Sequence, residues 1–395
     1  MDASQVFVRT SSQRALRENP WSVDCRRRRP ARAVGGKELD VMSGDAEADQ
    51  GAGEARRMHR PTMGDVAEAA GVSRPLVSIV MRDAKGASEA TRQRVLKVAA
   101  ELGYVPDDRA RKLRQKSSRL IGVAFWLQHP FHGDVVEQLY LAAAEQGYDL
   151  ALSAVAPTRD ESTAIESLIR ERCEALIVLS LKEEAKHLQT VSKRVPVISV
   201  ARRLKESTVG VVRGDDRAGL RMAVEHLASL GHTRIAHIDG ARVPGSVERR
   251  SSYRKTMQRL RFDEHIDVVL GGPTEEDGAR GMAELLSRSV RPTAVIGFND
   301  RCAAGALDYA IRAGLSVPQD ISIMGYDDSR LSRRTHVQMS TISQDTQTQA
   351  HQAVRLAIEQ VNGMPAREVI VQPQLVARET TAAPPDSAAE ISRRS

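Results

Sequence analysis

Thr62-Met-Gly-Asp-Val-Ala-Glu-Ala-Ala-Gly-Val-Ser73, continued by Arg74-Pro-Leu-Val-Ser-Ile-Val-Met-Arg82, is the stretch whose reading decides the fold of the first third of this chain. Thr62 is a helix N-cap residue, and Asp65 stands three positions on, where a capping box needs an acceptor side chain. Val66, Ala67 and Ala70 recur at helical spacing. Gly71 stops that helix, and Val72 is placed to plug the angle to the next. Ser73 starts a second helix with Pro75 in its first turn, where a missing N–H costs nothing. Leu76, Val77, Ile79 and Val80 follow. A third helix is expected over Glu89–Leu102, capped by Ser88, with Val95, Val98 and Leu102 on one face and Gly103 at its end. Two short helices about a sharp Gly-containing turn have helix-turn-helix spacing. Spacing alone fits an ordinary helical hairpin equally well, so the surroundings must decide.

The surroundings are basic. The 395 residues hold 58 Lys and Arg against 51 Asp and Glu, a net charge of +7. Residues 1–60 carry 12 basic and 9 acidic side chains, residues 61–118 carry 11 and 7, and the remainder is balanced. An excess confined to the first third points to a polyanionic partner at that end. Residues 1–60 contain the Arg26–Arg29 run but no apolar period, and no apolar segment marks them as a signal peptide. They are expected to be an extension outside the folded chain, disordered or wrongly assigned, with Met58 as an alternative start. The last residues, 381–395, are expected to be a disordered tail, and nothing after Pro385 has the heptad pattern of a tetramerising coil.

Beyond residue 118 the pattern changes to short apolar runs alternating with helical stretches. Leu120–Trp126, Asp149–Ala154, Ala175–Leu179, Val195–Val200 and Val209–Val212 form one series. Ile235–Ile238, Val268–Leu270, Ala294–Gly297 and Ile321–Gly325 form a second. Helices are expected between them, Val135–Gln146 and Ser162–Arg172 among others. Runs without alternation suit strands buried on both faces of a parallel sheet, so two doubly wound lobes are expected, with a ligand cleft between them near the strand C-termini. The 28% charged content is globular, and no apolar run reaches the ~18 residues of a membrane span. Three scattered cysteines, Cys25, Cys173 and Cys302, provide neither a disulfide framework nor a metal cluster, which suits a reducing cytoplasm.

The first region resembles the head of the LacI/GalR family of bacterial repressors. The resemblance is carried by Thr62–Ser73, Val77-Ser78, Ala87-Ser-Glu-Ala-Thr-Arg92 and Leu102-Gly-Tyr-Val-Pro106. It continues in His226-Leu, Gly231-His-Thr-Arg-Ile-Ala236, Ile296-Gly-Phe-Asn-Asp300, Ala303-Ala-Gly-Ala306, Gly314-Leu-Ser-Val-Pro318, Asp320–Asp328 and Leu375-Val-Ala-Arg-Glu-Thr380, about 320 residues in all. It implies a fold of an all-α helix-turn-helix head (61–105), a hinge (106–118) and an α/β body (119–380) of two parallel-sheet lobes of periplasmic-binding-protein type. Lobe one is expected over about 119–229 and 346–364, lobe two over about 230–345 and 365–380.

The resemblance also implies roles. Ser73, Arg74, Pro75, Leu76, Ser78, Ile79 and Arg82 match the helix that the family places in the major groove. Arg74 suits a bidentate bond to guanine, while Thr62, Ser73 and Ser78 suit phosphates. Pro75, Leu76 and Ile79 depart from the polar readers common in the family and offer only apolar contacts. In the hinge, Ala110 and Leu113 match the residues of a helix whose Leu wedges into the minor groove, with Arg111 beside the phosphates. Phe131, Asp215, Arg249, Asp300 and Gln344 match or neighbour effector-binding positions, and His129 and His132 lie at the cleft rim. Ser252 stands where the family usually has Gly. Pro273 falls near an aromatic that stacks on sugar in some members, and at 3% aromatic residues the chain is a poor candidate for sugar stacking. His232 and His237 read as structural.

The expected partners are therefore double-stranded DNA with a palindromic operator, a small-molecule effector in the class of a sugar or related metabolite, and a second copy of the chain in a homodimer. No cofactor, metal or membrane is expected. A solute-binding protein built on the same body would need an export signal and would leave the basic head unexplained. An enzyme would need a nucleophile–base pair or a phosphate-binding loop, and Val211–Gly219 and Gly271-Gly272 are too loose to be one.

Overall fold

The computed structural model describes residues 61–105, 117–180, 185–202, 204, 208–334 and 337–385. The chain divides into two units at Val105/Pro106. The expected extension (1–60), most of the hinge with Ala110, Arg111 and Leu113, and the end of the tail lie outside the described residues.

In the first unit, helices α1 (Met63–Ala70), α2 (Arg74–Met81) and α3 (Glu89–Glu101) surround a core of small side chains: Val66, Ala67, Ala70, Val77, Val80, Val95 and Ala99. The capping box is formed, with Thr62 N–H donating to Asp65 (2.7 Å) and Asp65 N–H to Thr62 Oγ1 (3.4 Å). Gly71 ends α1 in the left-handed region at φ 64°, and its N–H reaches the carbonyls of Ala67 and Glu68. That glycine makes the reversal into α2 within two residues possible. Val72 packs partly buried against the core, as the turn requires.

The second unit contains two parallel sheets. Lobe one has β1 (Leu120–Trp126), β2 (Asp149–Val155), β3 (Ala175–Leu179), β4 (Val197–Val200) and β5 (Gly210–Gly214). α4 (Pro130–Glu145) covers one face, and α5 (Glu161–Arg170) and α6 (Ala185–Ser192) cover the other. Lobe two begins with α7 (Asp216–Ser229), β6 (Ile235–Asp239), α8 (Ser246–Arg259) and β7 (Asp267–Leu270). α9 (Glu275–Leu286), β8 (Ala294–Gly297), α10 (Asp300–Arg312) and β9 (Ser322–Met324) complete its layers. A two-residue ladder of β10 (Arg333–Arg334) and β11 (Val337–Gln338) follows, then β12 (Thr341–Ser343), α11 (Thr346–Val361), β13 (Glu368–Val371) and β14 (Gln374–Val376). The sheet orders are β13-β5-β4-β3-β1-β2 and β7-β6-β8-β9, parallel throughout. β3 is buried at every residue, which is why its sequence is an unbroken apolar run.

Two expected lobe boundaries are corrected. Residues 368–371 do not belong to lobe two, because β13 adds to the edge of lobe one by pairing with β5. Residues 216–229 do not belong to lobe one. Leu220, Ala223, Val224 and Leu227 of α7 are buried against Tyr253, Met257 and Ile296 of lobe two. α11 packs on lobe one, burying Ala350, Ala353 and Val354 there.

The chain therefore passes between the lobes three times: after Gly214, after Ser343 and after Val371. The crossings are neighbours. Asp215 N–H donates to the Val371 carbonyl (3.1 Å), Ser343 pairs with Gln374, and Gln349 Nε2 donates to the Gln344 carbonyl (2.7 Å). Where the body begins, Ser117 Oγ donates to Glu174 (2.6 Å), so residues 117–118 are extended chain anchored to lobe one rather than hinge helix.

Candidate nucleic-acid interface and ligand cavity

The outer face of α2 is set by what the core takes. Val77 and Val80 are buried, so residues on the opposite side must face outward. Ser73, Arg74, Pro75 and Arg82 are exposed, while Leu76, Ser78 and Ile79 are half-buried. Ser73 is the N-cap residue of α2, yet its side chain makes no capping bond. Thr62 is different, since its hydroxyl donates to Asp65 (2.8 Å). Among the described residues no hydrogen bond or ion pair holds Arg74, whose guanidinium lies beside Gly64 of α1. Arg82 curls back, its Nε donating to the Ser78 carbonyl (3.0 Å). The half-buried Ile79 side chain lies beside Gly86 of the following loop. Arg92 braces that loop through Asp83 (2.7 Å) and the Ala84 carbonyl (2.9 Å). Arg74 is thus the cationic side chain of α2 most available to a partner.

Between the lobes lies a cavity of about 240 Å³. Lobe one contributes Trp126, His129, Phe131, His132, Ser180 and Ala201. Lobe two contributes Arg249, Phe298, Asn299, Arg301 and Asp327, with Gln344 at a crossing. Four of these lie at strand C-termini: Trp126 ends β1, Ser180 follows β3, Ala201 follows β4, and Phe298 follows β8. Ser180 (φ 47°), Ala201 (φ 59°) and Asp327 (φ 119°) have left-handed backbones, a conformation costing about 1–3 kcal/mol that tends to persist at functional sites.

The chain has five Phe and two Trp, and three of these seven rings line this one cavity. The low aromatic content therefore does not by itself count against a ligand with an apolar face, because three of the Phe and Trp rings meet at this cavity even though none of the six Tyr does. Gly240 makes room for one of them, since a Cβ there would run into the Phe298 ring.

Arg249 is the keystone of the lobe-two wall. Its Nε donates to Asp216 (2.8 Å), its Nη1 to the Phe298 carbonyl (2.7 Å), and its guanidinium lies over Tyr326 (3.6 Å to the ring centroid) and Phe298 (4.7 Å). Burial disfavours its charge, but Asp216, Tyr326 and Asp327 more than offset this and raise its pKa above the ordinary arginine value. Asp327 accepts from Gln344 Nε2 (2.6 Å), and burial together with the nearby Asp300 pushes its carboxyl up to about 8 despite Arg249. Arg301 is held by Glu275. On the opposite wall the rings of His129 and His132 stack at 4.4 Å. Burial, then Arg301 and Arg249, lowers His129 to about 4, and burial holds His132 well below its usual range, so both are neutral near pH 7. His132 Nδ1 accepts from Trp126 N–H (3.0 Å).

Of the sequence-derived ligand residues, Phe131, Arg249 and Gln344 meet in the cavity. Asp215 and Asp300 do not line it. Asp215 caps α7 through the N–H groups of Arg217 and Ala218 (3.1 and 3.0 Å). Asp300 is buried under the loop after β9, where it accepts from Thr341 Oγ1 (2.6 Å) and from Ser329 N–H and Oγ (2.7 and 2.8 Å). Its oxygens are spent on holding that loop, and burial first of all pushes its pKa up to about 6. Of the lining residues that sequence reasoning missed, Ser180, Ala201 and Phe298 directly follow β3, β4 and β8 and could have been found by taking the residue after each parallel strand, whereas Trp126 ends β1 and Asn299, Arg301 and Asp327 lie further along the loops and helix that follow. Ser252, standing for a usual glycine, donates from its hydroxyl to the Arg217 carbonyl (2.6 Å) and so ties α8 to α7. His232 and His237 are buried and bonded within lobe two, to Thr293 Oγ1 (2.8 Å) and to the Ile296 carbonyl (3.0 Å). No metal-binding group of side chains and no helix long and apolar enough to cross a membrane occur among the described residues.

Residues 62–107 match the family model described as bacterial regulatory proteins, lacI family, and residues 224–381 match that of a periplasmic binding protein-like domain. The chain is 34% identical over 333 residues to the HTH-type transcriptional regulator GalR of Salmonella typhimurium, covering 82% of this chain and 97% of the relative. Among solved structures, a LacI transcriptional regulator from a Rhodococcus species is 51% identical, covering 67% of this chain and 99% of the other, with a TM-score of 0.67. The lac repressor dimer bound to operator and the anti-inducer ONPF is 29% identical, covering 82% and 99%, with a TM-score of 0.70.

Proposed function

The chain belongs to the LacI family of bacterial regulatory proteins and is a DNA-binding transcriptional regulator modulated by a small molecule; from that premise we propose that it is a repressor acting as a homodimer on a two-fold symmetric operator. Helix α2 enters the major groove, with Arg74 the principal reader of a base edge and Leu76 and Ile79 giving apolar contacts. Thr62, Ser73 and Ser78 position the head on phosphates. In the hinge, Leu113 wedges into the minor groove beside Ala110, with Arg111 against phosphate. The site of action is wherever chromosomal DNA is, so we place the protein in the cytoplasm, and its task is binding rather than catalysis.

The observation that carries the effector reading is the cavity between the lobes, where Trp126 and Phe131 face a lobe-two wall of Phe298 and paired charges. Arg249 and Arg301 already have carboxylate partners, and both histidines are neutral. We infer an uncharged effector with an apolar face and hydroxyl groups, such as a small sugar or a related metabolite. Phe131 and Trp126 contact the face, and Gln344, Asp327 and Arg249 orient the polar groups. An effector shifts operator affinity only by binding two lobe arrangements unequally, typically with ~1–3 kcal/mol of coupling.

The test is selection of random duplexes by the purified chain, repeated with fractions of a bacterial metabolite pool. A palindromic consensus whose retention changes with one uncharged fraction is the expected result. Enrichment of no sequence, or a consensus indifferent to every fraction, overturns the reading.

A further inference from the structure

Two arginines of lobe two reach over to the start of α4 in lobe one. Arg330, in the turn after β9, donates through Nε to Asp134 (2.6 Å) and through Nη2 to Glu137 (2.8 Å). Its backbone N–H donates to the second Asp134 oxygen (3.0 Å). Arg301, in the first turn of α10, donates through Nη1 to the Gln128 carbonyl (3.1 Å) while Glu275 holds its other edge. The segment they grip, residues 128–137, carries His129, Phe131 and His132 of the cavity wall.

The grip is specific in its geometry. Asp134 is bonded through both oxygens, one to a side chain and one to a backbone N–H, and its side chain is only 16% exposed. The Arg330 side chain is 63% exposed, so salt can reach and screen it. Exposed ion pairs contribute little to the stability of a rigid fold. They matter more where they weigh one arrangement of two lobes against another of nearly equal free energy, since a small bias then moves populations several-fold.

We propose that Arg330, with Asp134 and Glu137, is a positioning clasp that holds the ring-bearing start of α4 over the cavity and so governs access to it. Neither Arg330 nor either acid lines the cavity, and Arg301 acts as a second strut from within it. The clasp deepens the effector reading, because it rests on this cavity being the effector site. It makes access dependent on ionic strength without any titration.

The test needs no effector. The chain has two tryptophans, so in a Trp21→Phe background Trp126 alone reports on the cavity wall. Acrylamide quenching is measured on the full-length protein. Arg330→Gln and Arg330→Glu are expected to raise the quenching constant about 2-fold and 3-fold, as a modest bias on lobe populations should. At 0.5 M NaCl the Arg330-containing protein should approach the variants, which should themselves respond little. Adding Asp134→Arg and Glu137→Arg to Arg330→Glu should return quenching to its starting level, a rescue that a merely structural role would not give. Circular dichroism checks that each variant is folded. Unchanged quenching in both Arg330 variants, or no rescue by charge reversal, overturns the clasp. Acrylamide reports on the wall alone, so the clasp can fail while metabolite selection succeeds, and the reverse.

Discussion

The outer face of α2 and the cavity between the lobes, the two recognition surfaces proposed above, use their charges in opposite ways. On α2, Arg74 is exposed and held by no described hydrogen bond or ion pair. In the cavity, Arg249 is bound by Asp216, the Phe298 carbonyl and two aromatic faces, and Arg301 by Glu275. The difference is what the proposed partners, DNA at the head and an uncharged effector in the cavity, would require. A polyanion brings its own charge, so a side chain meant for it gains by staying unpaired. A small uncharged ligand brings none, and a buried unpaired cation beside it would carry a desolvation cost that nothing offsets. The head therefore keeps a cation for its partner, while the cavity uses its cations to hold its own wall in shape.

The largest effect that should follow is from Arg249→Ala. It leaves Asp216 without its partner and two aromatic faces uncovered, so denaturant unfolding should show the body losing ~3–5 kcal/mol. A loss below ~1 kcal/mol would mean that the cavity charges are as free as those of the head. On the head, Arg74→Ala should cost ~1–3 kcal/mol at one base pair per half-site and leave the body's unfolding unchanged. Arg111→Ala should instead weaken binding to all duplexes and reduce the salt slope. Competition titrations with single-base operator variants separate the two patterns, and an unaltered sequence preference for Arg74→Ala would break the contrast.

A smaller effect concerns Asp327, whose pKa is raised to about 8. The folded body holds this proton where the unfolded chain, with an ordinary Asp, has released it. Stability from this group is therefore present at low pH and lost as pH rises toward 8. The histidines act the other way, because their lowered pKa values cost stability only below about 6.5. Asp300, raised to about 6, also falls silent above that point. Between pH 6.5 and 8, Asp327 should leave a declining slope of up to about 1.4 kcal/mol per pH unit, and Asp327→Asn should flatten it. An equal slope in both proteins would place the ionised form in the folded cavity. The smallest effect is expected from deleting residues 1–57, which should change neither unfolding nor operator affinity at physiological salt. A large loss of affinity would make the Arg26–Arg29 run part of the DNA-binding surface.

The head was the more legible of the two in sequence. Its signals are local: a capping box within four residues, a glycine at the turn, valines at helical spacing. The strands of the body were legible too, since burial on both faces writes an unbroken apolar run such as Ala175–Leu179. What failed was decided by distant partners. β13 is four residues long and half exposed, and nothing within it says which lobe it will join. Asp300 matched a ligand position, but Ser329 and Thr341 claim its oxygens, and they lie 29 and 41 residues away. Composition likewise reports how many rings there are and not where folding places them, and Trp126, Phe131 and Phe298 lie together at the cavity.

The three adjacent crossings have a mechanical consequence. A single strand between two bodies is a swivel that leaves twist and tilt equally free. Three strands side by side, at Asp215, Gln344 and 372–373, and laced by the Asp215–Val371 and Ser343–Gln374 pairings, behave like the leaf of a door hinge. Such a leaf bends easily across its width and resists torsion, so the lobes are left with one soft rotation. On the effector reading proposed above, a ligand in the cavity would then act on the start of lobe one, where Glu174 grips Ser117, as a swing of fixed direction.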